Sequence, residues 1–112
     1  MSVAIAERLD AITRRAKIKK RDVAELLSTT PETVSRWRAG RVDPQPLHRD
    51  LLLQLDWLLS ELSELYDPGE AHLWLFSPHK LLGGKRPFDV IKERRVEEVL
   101  RVIAQLKDGA FV

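Results

Sequence analysis

The stretch RDVAELLSTTPETVSRWRAG, residues 21–40, decides the fold of this chain. In its first half, Val23 and Leu27 lie one helical turn apart. In its second half, Pro31 stands where a helix can begin and Gly40 where one can end. The pattern therefore predicts two short helices joined by a tight turn.

Side chains within this stretch predict how the two helices cross. Ala24 is small enough to let the helices approach closely, and Val34 and Trp37 lie one turn apart on one side of the second helix. Glu32 follows Thr29 by three residues, which is the spacing of a capping box. Together these features predict a helix-turn-helix.

The outward face of the second helix follows from a rotation of about 100° per residue away from Val34 and Trp37. Arginine can bind guanine, glutamate can accept from cytosine, and serine or threonine can contact bases or phosphates. Basic residues beside that face can bind phosphates without reading sequence. The candidate base-reading residues are Glu32, Thr33, Ser35, Arg36 and Arg38, and the candidate phosphate-binding residues are Lys19, Lys20 and Arg41.

These residues resemble the Xre-type helix-turn-helix of phage-repressor-like regulators. That motif usually has glycine at the turn, where this chain has Ser28. Because the position favours a residue that tolerates positive φ, a less standard turn is expected. The alternative is a plain helical hairpin within a bundle, with its basic residues on a solvated face.

Helical patterns also flank this motif. Apolar residues at steps of four, three and four predict a first helix over residues 3–16. RVDPQP, residues 41–46, breaks the pattern, and a broad leucine-rich stripe predicts one long helix over residues 47–66. Because no alternating strand pattern occurs, the predicted fold is all-α. Shorter helices are expected to start near Pro68, Pro78 and Pro87, the last reaching Lys107.

The break at RVDPQP separates two halves of different charge. Residues 1–49 carry 11 Lys/Arg and 6 Asp/Glu, whereas residues 50–112 carry 8 and 11. A basic half suits a phosphate polymer and an acidic half does not. We therefore predict an N-terminal helix-turn-helix bundle at residues 1–45, followed at residues 46–112 by a long central helix and a C-terminal bundle of short helices.

A distinctive string, LWLFSPHKLLGGKRPFDVI, occupies residues 73–91. Together with the final GAFV, residues 109–112, it resembles the toxin-binding domain of Xre/MbcA/ParS-like antitoxins. That resemblance implies an antitoxin whose C-terminal domain covers the active site of a RES-domain toxin, an enzyme that consumes NAD, and a complex that binds its own promoter. One departure from the family is Glu93, Arg94 and Arg95, where a glycine is common, so a helix that runs through this joint is expected.

The candidate toxin contacts lie in this string and in the tail. Trp74 is expected to be buried, with Phe76 or His79 nearer the surface. Under one hypothesis, the residues after Gly109 and their carboxylate plug the toxin's cleft. Under the alternative, Phe111 folds back onto the chain's own core. The candidate toxin-binding residues are Phe76, His79, Leu82, Lys85, Gly109, Ala110, Phe111 and Val112.

Catalysis is not expected. The chain has no cysteine, and its three histidines lack metal-ligand spacing, so neither a metal site nor a cofactor is predicted. Ser77 has no nearby base, and helix capping explains its place before Pro78. Acidic residues near the start argue against a signal peptide, and charges within the most apolar stretch argue against a membrane span, so a cytoplasmic location is expected.

The second function class is a stand-alone transcriptional repressor whose C-terminal half only dimerises it. Such a repressor would bind operator DNA as a symmetric dimer and would need no toxin. The wide apolar face of residues 47–66 favours a homodimer, unless the short C-terminal helices cover it.

Overall fold

The computed structural model describes the backbone of residues 2–109 and the side chains of residues 4–109. All regular elements within these residues are helical, which confirms the predicted all-α fold. The α-helices are α1 (Ser2–Ala16), α2 (Lys20–Leu26), α3 (Pro31–Arg38), α4 (Pro46–Ser63), α5 (Pro68–Phe76), α6 (Pro87–Lys92) and α7 (Val96–Lys107), and one 3-10 turn, Lys80–Leu82, lies between α5 and α6.

Helices α2 and α3 are the two short helices that the sequence predicts, joined by a tight turn and packed against each other. Ser28 takes φ 57°, so serine itself adopts the left-handed conformation that glycine would favour at this turn. The expected capping box of Thr29 and Glu32 is wrong, because the cap lies one residue later. Thr30 begins α3, and its Oγ1 accepts a hydrogen bond from the Thr33 backbone N–H at 3.2 Å.

The two halves of the chain share one hydrophobic core. Helix α1 packs against α3 in its own half and against α4 and α5 in the other. Val34 and Trp37 are buried at the inner side of α3, as predicted. At the edge of the core, Asp56 of α4 accepts hydrogen bonds from Arg8 and Arg15 of α1, at 2.6 and 2.9 Å. Helices α1 and α3 are therefore held in place against the C-terminal half of the chain.

The segment after α5 is less helical than expected. Only the 3-10 turn follows Pro78, and His79 caps it by accepting a hydrogen bond at Nδ1 from the Leu81 backbone N–H, at 3.1 Å. Ser77 ends α5 instead of starting a helix, and its Oγ donates to the Leu73 carbonyl at 2.6 Å. The expected capping role of Ser77 is therefore wrong.

The joint between α6 and α7 also differs from expectation. Arg94 takes φ 65°, a left-handed conformation without glycine, and the Arg95 backbone N–H donates to the Val90 carbonyl at 3.1 Å. The Arg95 side chain binds the carboxylates of Glu93 and Glu98 on either side of the joint. The helix therefore ends at Lys92 and restarts at Val96, and it does not run through.

Candidate functional site

The outward face of α3 carries two free-standing charged side chains. Glu32 and Arg36 are exposed, while Thr33 and Ser35 are half-buried at the margins of the same helix. Thr33 Oγ1 lies 3.0 Å from Thr30 Oγ1, so this hydroxyl is engaged with the helix cap. Thr33, Ser35 and Arg38 each make a side-chain hydrogen bond, whereas Glu32 and Arg36 make none among the described residues.

Arg38 points back towards α1 instead of outward. Its Nε and Nη2 donate to the two carboxylate oxygens of Asp10, at 2.8 and 3.3 Å. These hydrogen bonds raise the pKa of the Arg38 guanidinium above its usual value. Because the ion pair joins α3 to α1, we assign Arg38 to positioning α3, in contrast to its predicted place among the base-reading residues.

The predicted phosphate-binding residues surround the start of α2 and the end of α3. Lys20 Nζ donates to Ser35 Oγ at 2.7 Å, which places its charge beside α3. Lys19 and Arg41 are exposed. The Arg41 backbone N–H donates to the Arg36 carbonyl at 3.0 Å, which holds Arg41 against the last turn of α3. Lys20 and Arg41 therefore flank the face that carries Glu32 and Arg36.

The sequence indicated basic residues at the turn between α1 and α2, including Lys19, but not the hollow that they form with α5. Lys17, Lys19 and Arg21 line a hollow whose other wall is formed by His72 and Phe76 of α5. His72 Nδ1 lies 3.1 Å from the carbonyl of Ala16 at the end of α1. Only the fold brings these positions together, because α5 lies about 50 residues further along the chain.

In the C-terminal half, Phe76 packs within the protein. It is half-buried and stacks on Phe88, with ring centroids 4.8 Å apart, and its ring centroid lies 4.6 Å from that of His72. The Arg86 guanidinium lies 5.7 Å from the centroids of both phenyl rings. Asp89 binds Arg86 at 2.8 Å and keeps it there. Phe76 therefore belongs to a packed aromatic and ionic cluster.

Other predicted toxin-binding residues differ in exposure. Leu82 is 7% exposed and lies in the core, so it offers little surface to a partner. His79 is half-buried, and its ring centroid lies 5.7 Å from that of Trp74. Trp74 is itself only half-buried, so the prediction that it is buried is wrong. Lys85 is exposed and pairs with Glu93 at 3.2 Å.

Two exposed leucines were overlooked in the same region. Leu73 is 67% exposed and Leu81 is 40% exposed. Both lie within the string that carries the family resemblance, on either side of the turn at Ser77 and Pro78. They are the largest exposed apolar side chains of that string among the described residues.

The end of α7 is described as far as Gly109. Gly109 is exposed and takes φ 73°, and its backbone N–H donates to the Leu106 carbonyl at 3.1 Å. The predicted contacts at Ala110, Phe111 and Val112 lie outside the described residues. Gly109 thus ends the last helix in the left-handed conformation that favours glycine.

Two other kinds of feature are absent from the part of the chain that the structure describes. No group of three or more His, Cys, Asp or Glu side chains there could hold a metal ion. No helix in that part of the chain is both long enough and apolar enough to span a bilayer.

Known proteins match both the sequence and this arrangement of helices. The C-terminal toxin-binding domain of the antitoxins Xre, MbcA and ParS matches residues 61–109. The mycobacterial cidal antitoxin MbcA of Mycobacterium tuberculosis is 30% identical over 108 residues, which cover 96% of each chain. This chain belongs to the Xre/MbcA/ParS family of antitoxins.

The fold of this antitoxin agrees with that assignment. A chain in the crystal structure of the M. tuberculosis MbcT–MbcA toxin–antitoxin complex matches it with a TM-score of 0.85 and 31% identity, over 98% of both chains. A shorter match, 38% identical over 60 residues, is to the repressor protein CI of enterobacteria phage phi80. It covers half of this antitoxin and a quarter of the repressor. The family predicted from the C-terminal string is confirmed.

Proposed function

We propose that this antitoxin neutralises a RES-domain, NAD-consuming toxin of a type II toxin–antitoxin system. Its C-terminal domain and tail would cover the toxin's active site. The observation that carries the proposal is the match over 98% of the chain to a component of a toxin–antitoxin complex, together with the toxin-binding domain at residues 61–109. The exposed Leu73 and Leu81 supply apolar contact area within that domain.

The test of toxin binding is co-purification. The tagged antitoxin is expressed with the product of the neighbouring gene, and the complex is isolated by affinity and size-exclusion chromatography. We expect a tight complex that does not consume NAD, and a free toxin that does. Failure of the two chains to co-purify would overturn the proposal and favour the stand-alone repressor.

The tail has a test of its own. Deleting residues 109–112 should leave a complex that consumes NAD while the melting temperature of the free antitoxin stays unchanged, because the tail would act only on the toxin. A lower melting temperature with inhibition intact would instead show that Phe111 seals the antitoxin's own core. The two hypotheses thus predict opposite results for the same deletion.

We also propose that the helix-turn-helix binds operator DNA of its own operon, as a homodimer. Glu32 and Arg36 stand exposed on α3, between cations at Lys20 and Arg41, as base reading and phosphate binding require. The match to a phage repressor supports this part of the proposal. A gel-shift assay on DNA upstream of the gene tests it, and equal affinity for unrelated DNA would contradict sequence-specific binding.

A further inference from the structure

The hollow at the turn between α1 and α2 has a chemistry of its own. Lys17, Lys19 and Arg21 form one wall, and His72 and Phe76 of α5 form the other. Its volume is about 260 Å³, below the roughly 300–1,000 Å³ of a typical small-molecule pocket. The hollow therefore suits a small polar group and not a whole cofactor. We call it the α1–α2 hollow.

Positive charge dominates the α1–α2 hollow. Lys17, Lys19 and Arg21 are exposed, and none of them forms an ion pair among the described residues. The lining also contains the carboxylate of Asp22, whose Oδ2 accepts a hydrogen bond from the Lys19 backbone N–H at 2.8 Å. Three cations against one carboxylate favour an anion in this hollow.

The fold holds the two walls together at the end of α1. Lys17 leaves α1 with φ 49°, and its Nζ lies beside the first turn of α5, where a Cβ on Gly69 would be 3.7 Å away. In the same region, His72 Nδ1 lies 3.1 Å from the carbonyl oxygen of Ala16. The α1–α2 hollow therefore forms only when the N-terminal and C-terminal halves are packed together.

The contact with Ala16 also determines which nitrogen of His72 is free. A carbonyl oxygen only accepts, so Nδ1 carries the proton of this hydrogen bond. The other ring nitrogen, Nε2, has no hydrogen-bond partner among the described residues. Because His72 is half-buried and lines the hollow, it adds an unpartnered polar atom to the three cations.

We propose that the α1–α2 hollow binds a phosphate group of the DNA backbone, and that His72 of the C-terminal half is one of its ligands. Lysine and arginine side chains contact phosphates without reading sequence. The imidazole donates from Nε2 to a phosphate oxygen when it is protonated. Lys19 is already a candidate phosphate contact, and the hollow adds Lys17, Arg21 and His72 to it.

The position of the hollow favours DNA as the source of the phosphate. Lys20 Nζ donates to Ser35 Oγ at 2.7 Å, so Lys20 lies beside α3. Lys19 and Arg21 are its neighbours in the chain, with Cα atoms about 3.8 Å from that of Lys20. A DNA strand that passes Lys20 therefore passes the hollow as well. This step rests on the proposed DNA binding, and it extends the DNA contacts from α2 and α3 to α5.

The salt dependence of DNA affinity tests the phosphate contact in the full chain. Lys17→Gln/Arg21→Gln should weaken binding about tenfold at about 0.15 M salt and reduce the salt slope by about one. The loss should be the same for operator and unrelated DNA, because a phosphate carries no sequence information. Arg94→Gln/Arg101→Gln is the matched control, since it removes two exposed arginines from another hollow, beside Gln54, and should change neither quantity.

His72→Asn tests the contribution of α5. The asparagine amide can still donate to the Ala16 carbonyl, but it has no atom in place of Nε2. It should weaken binding of both DNAs about fivefold, the effect of one lost hydrogen bond. Melting temperatures equal to that of the wild type show that the variants fold. An unchanged affinity for His72→Asn would remove α5 from the site.

Two results distinguish failure of this proposal from failure of DNA binding itself. If the wild type binds DNA and Lys17→Gln/Arg21→Gln behaves as its control does, the proposal is overturned while DNA binding stands. If the wild type binds no DNA, titration with inorganic phosphate, followed by the NMR signals of the His72 ring, decides the chemistry of the hollow. A saturable shift that the double variant lacks would assign the hollow to a free phosphate compound, and no shift would overturn the anion site.

Discussion

Helix α3, which carries the candidate base contacts, and the segment from α5 to α6 differ in how their predicted contact residues are placed. Glu32 and Arg36 project freely from α3, whereas Phe76 and Leu82 pack into the chain's own interior. A helix on the outside of a bundle has one buried side, so periodicity identifies the free side. In a segment of short helices and turns, periodicity does not separate the buried side from the exposed side. A string that identifies the family there therefore does not show which of its residues contact a partner.

The largest expected effect concerns Leu82. Leu82→Ala should lower the free energy of unfolding by about 2–4 kcal/mol, because it removes a side chain from the core. Leu81→Ala, one residue earlier and 40% exposed, should cost less than about 1 kcal/mol. Urea unfolding of both variants measures the difference. Equal costs would show that Leu82 is not a core residue and would weaken the contrast with α3.

Next in size is the effect of Arg36 on DNA binding. Arg36→Ala should lower operator affinity by about 1–3 kcal/mol, because it removes one candidate base contact. Its melting temperature should stay that of the wild type, since Arg36 is exposed. Arg101→Ala, an exposed arginine on α7, is the control for loss of one positive charge and should leave operator affinity unchanged. Fluorescence anisotropy measures the operator affinity of the wild type and of both variants. An equal loss of affinity in Arg101→Ala would indicate that Arg36 contributes only non-specific electrostatic attraction.

A smaller effect is expected at Asp89. Two hydrogen bonds from Arg86 hold the pKa of the Asp89 carboxyl below its usual value. A depressed carboxyl pKa stabilises the fold above the ordinary carboxyl pKa, and this contribution is lost as pH falls through the folded-state pKa. Asp89→Asn should remove less than about 1 kcal/mol at neutral pH, because the ion pair is partly exposed. The free energy of unfolding, measured at about pH 7 and about pH 3, should differ less for Asp89→Asn than for the wild type. Asp43→Asn, in the exposed loop after α3, is the control and should behave as the wild type does.

The smallest effect is expected for Arg38 on DNA. Arg38 is held by Asp10, so Arg38→Ala should change operator affinity less than about twofold and leave its salt dependence unchanged. Lys20→Ala should instead reduce the salt slope by about one, because Lys20 lies beside the recognition face. Titrations at several salt concentrations distinguish the two variants. A weaker salt dependence of operator affinity for Arg38→Ala would show that Arg38 contacts DNA.

The sequence predicted the helices and the buried side of α3 because both follow from periodic apolar residues and from the stops at proline and glycine. It did not predict the left-handed residues at Ser28 and Arg94, since in both cases the chain leaves a helix through a conformation that the residue type alone disfavours. It also missed the ion pair between Asp10 and Arg38, because helical periodicity identifies an exposed side but not a partner on another helix.

The candidate toxin-binding surface was predictable only as a region. The family string contains the exposed Leu73 and Leu81 as well as the more buried Phe76 and Leu82. Their spacing does not separate the two groups, because α5 ends before Ser77 and Pro78 and no single helical period spans the turn. The basic hollow at Lys17 and Arg21 depends on α5 reaching back to α1, a long-range contact that no local pattern encodes.

The most direct test of the central claim is a titration of the neighbouring toxin with the full-length antitoxin, following NAD consumption. The wild-type chain and Arg36→Ala should both abolish NAD consumption at stoichiometric amounts, while Arg36→Ala binds operator DNA more weakly than the wild type does. Undiminished NAD consumption in the presence of excess wild-type chain would contradict the account.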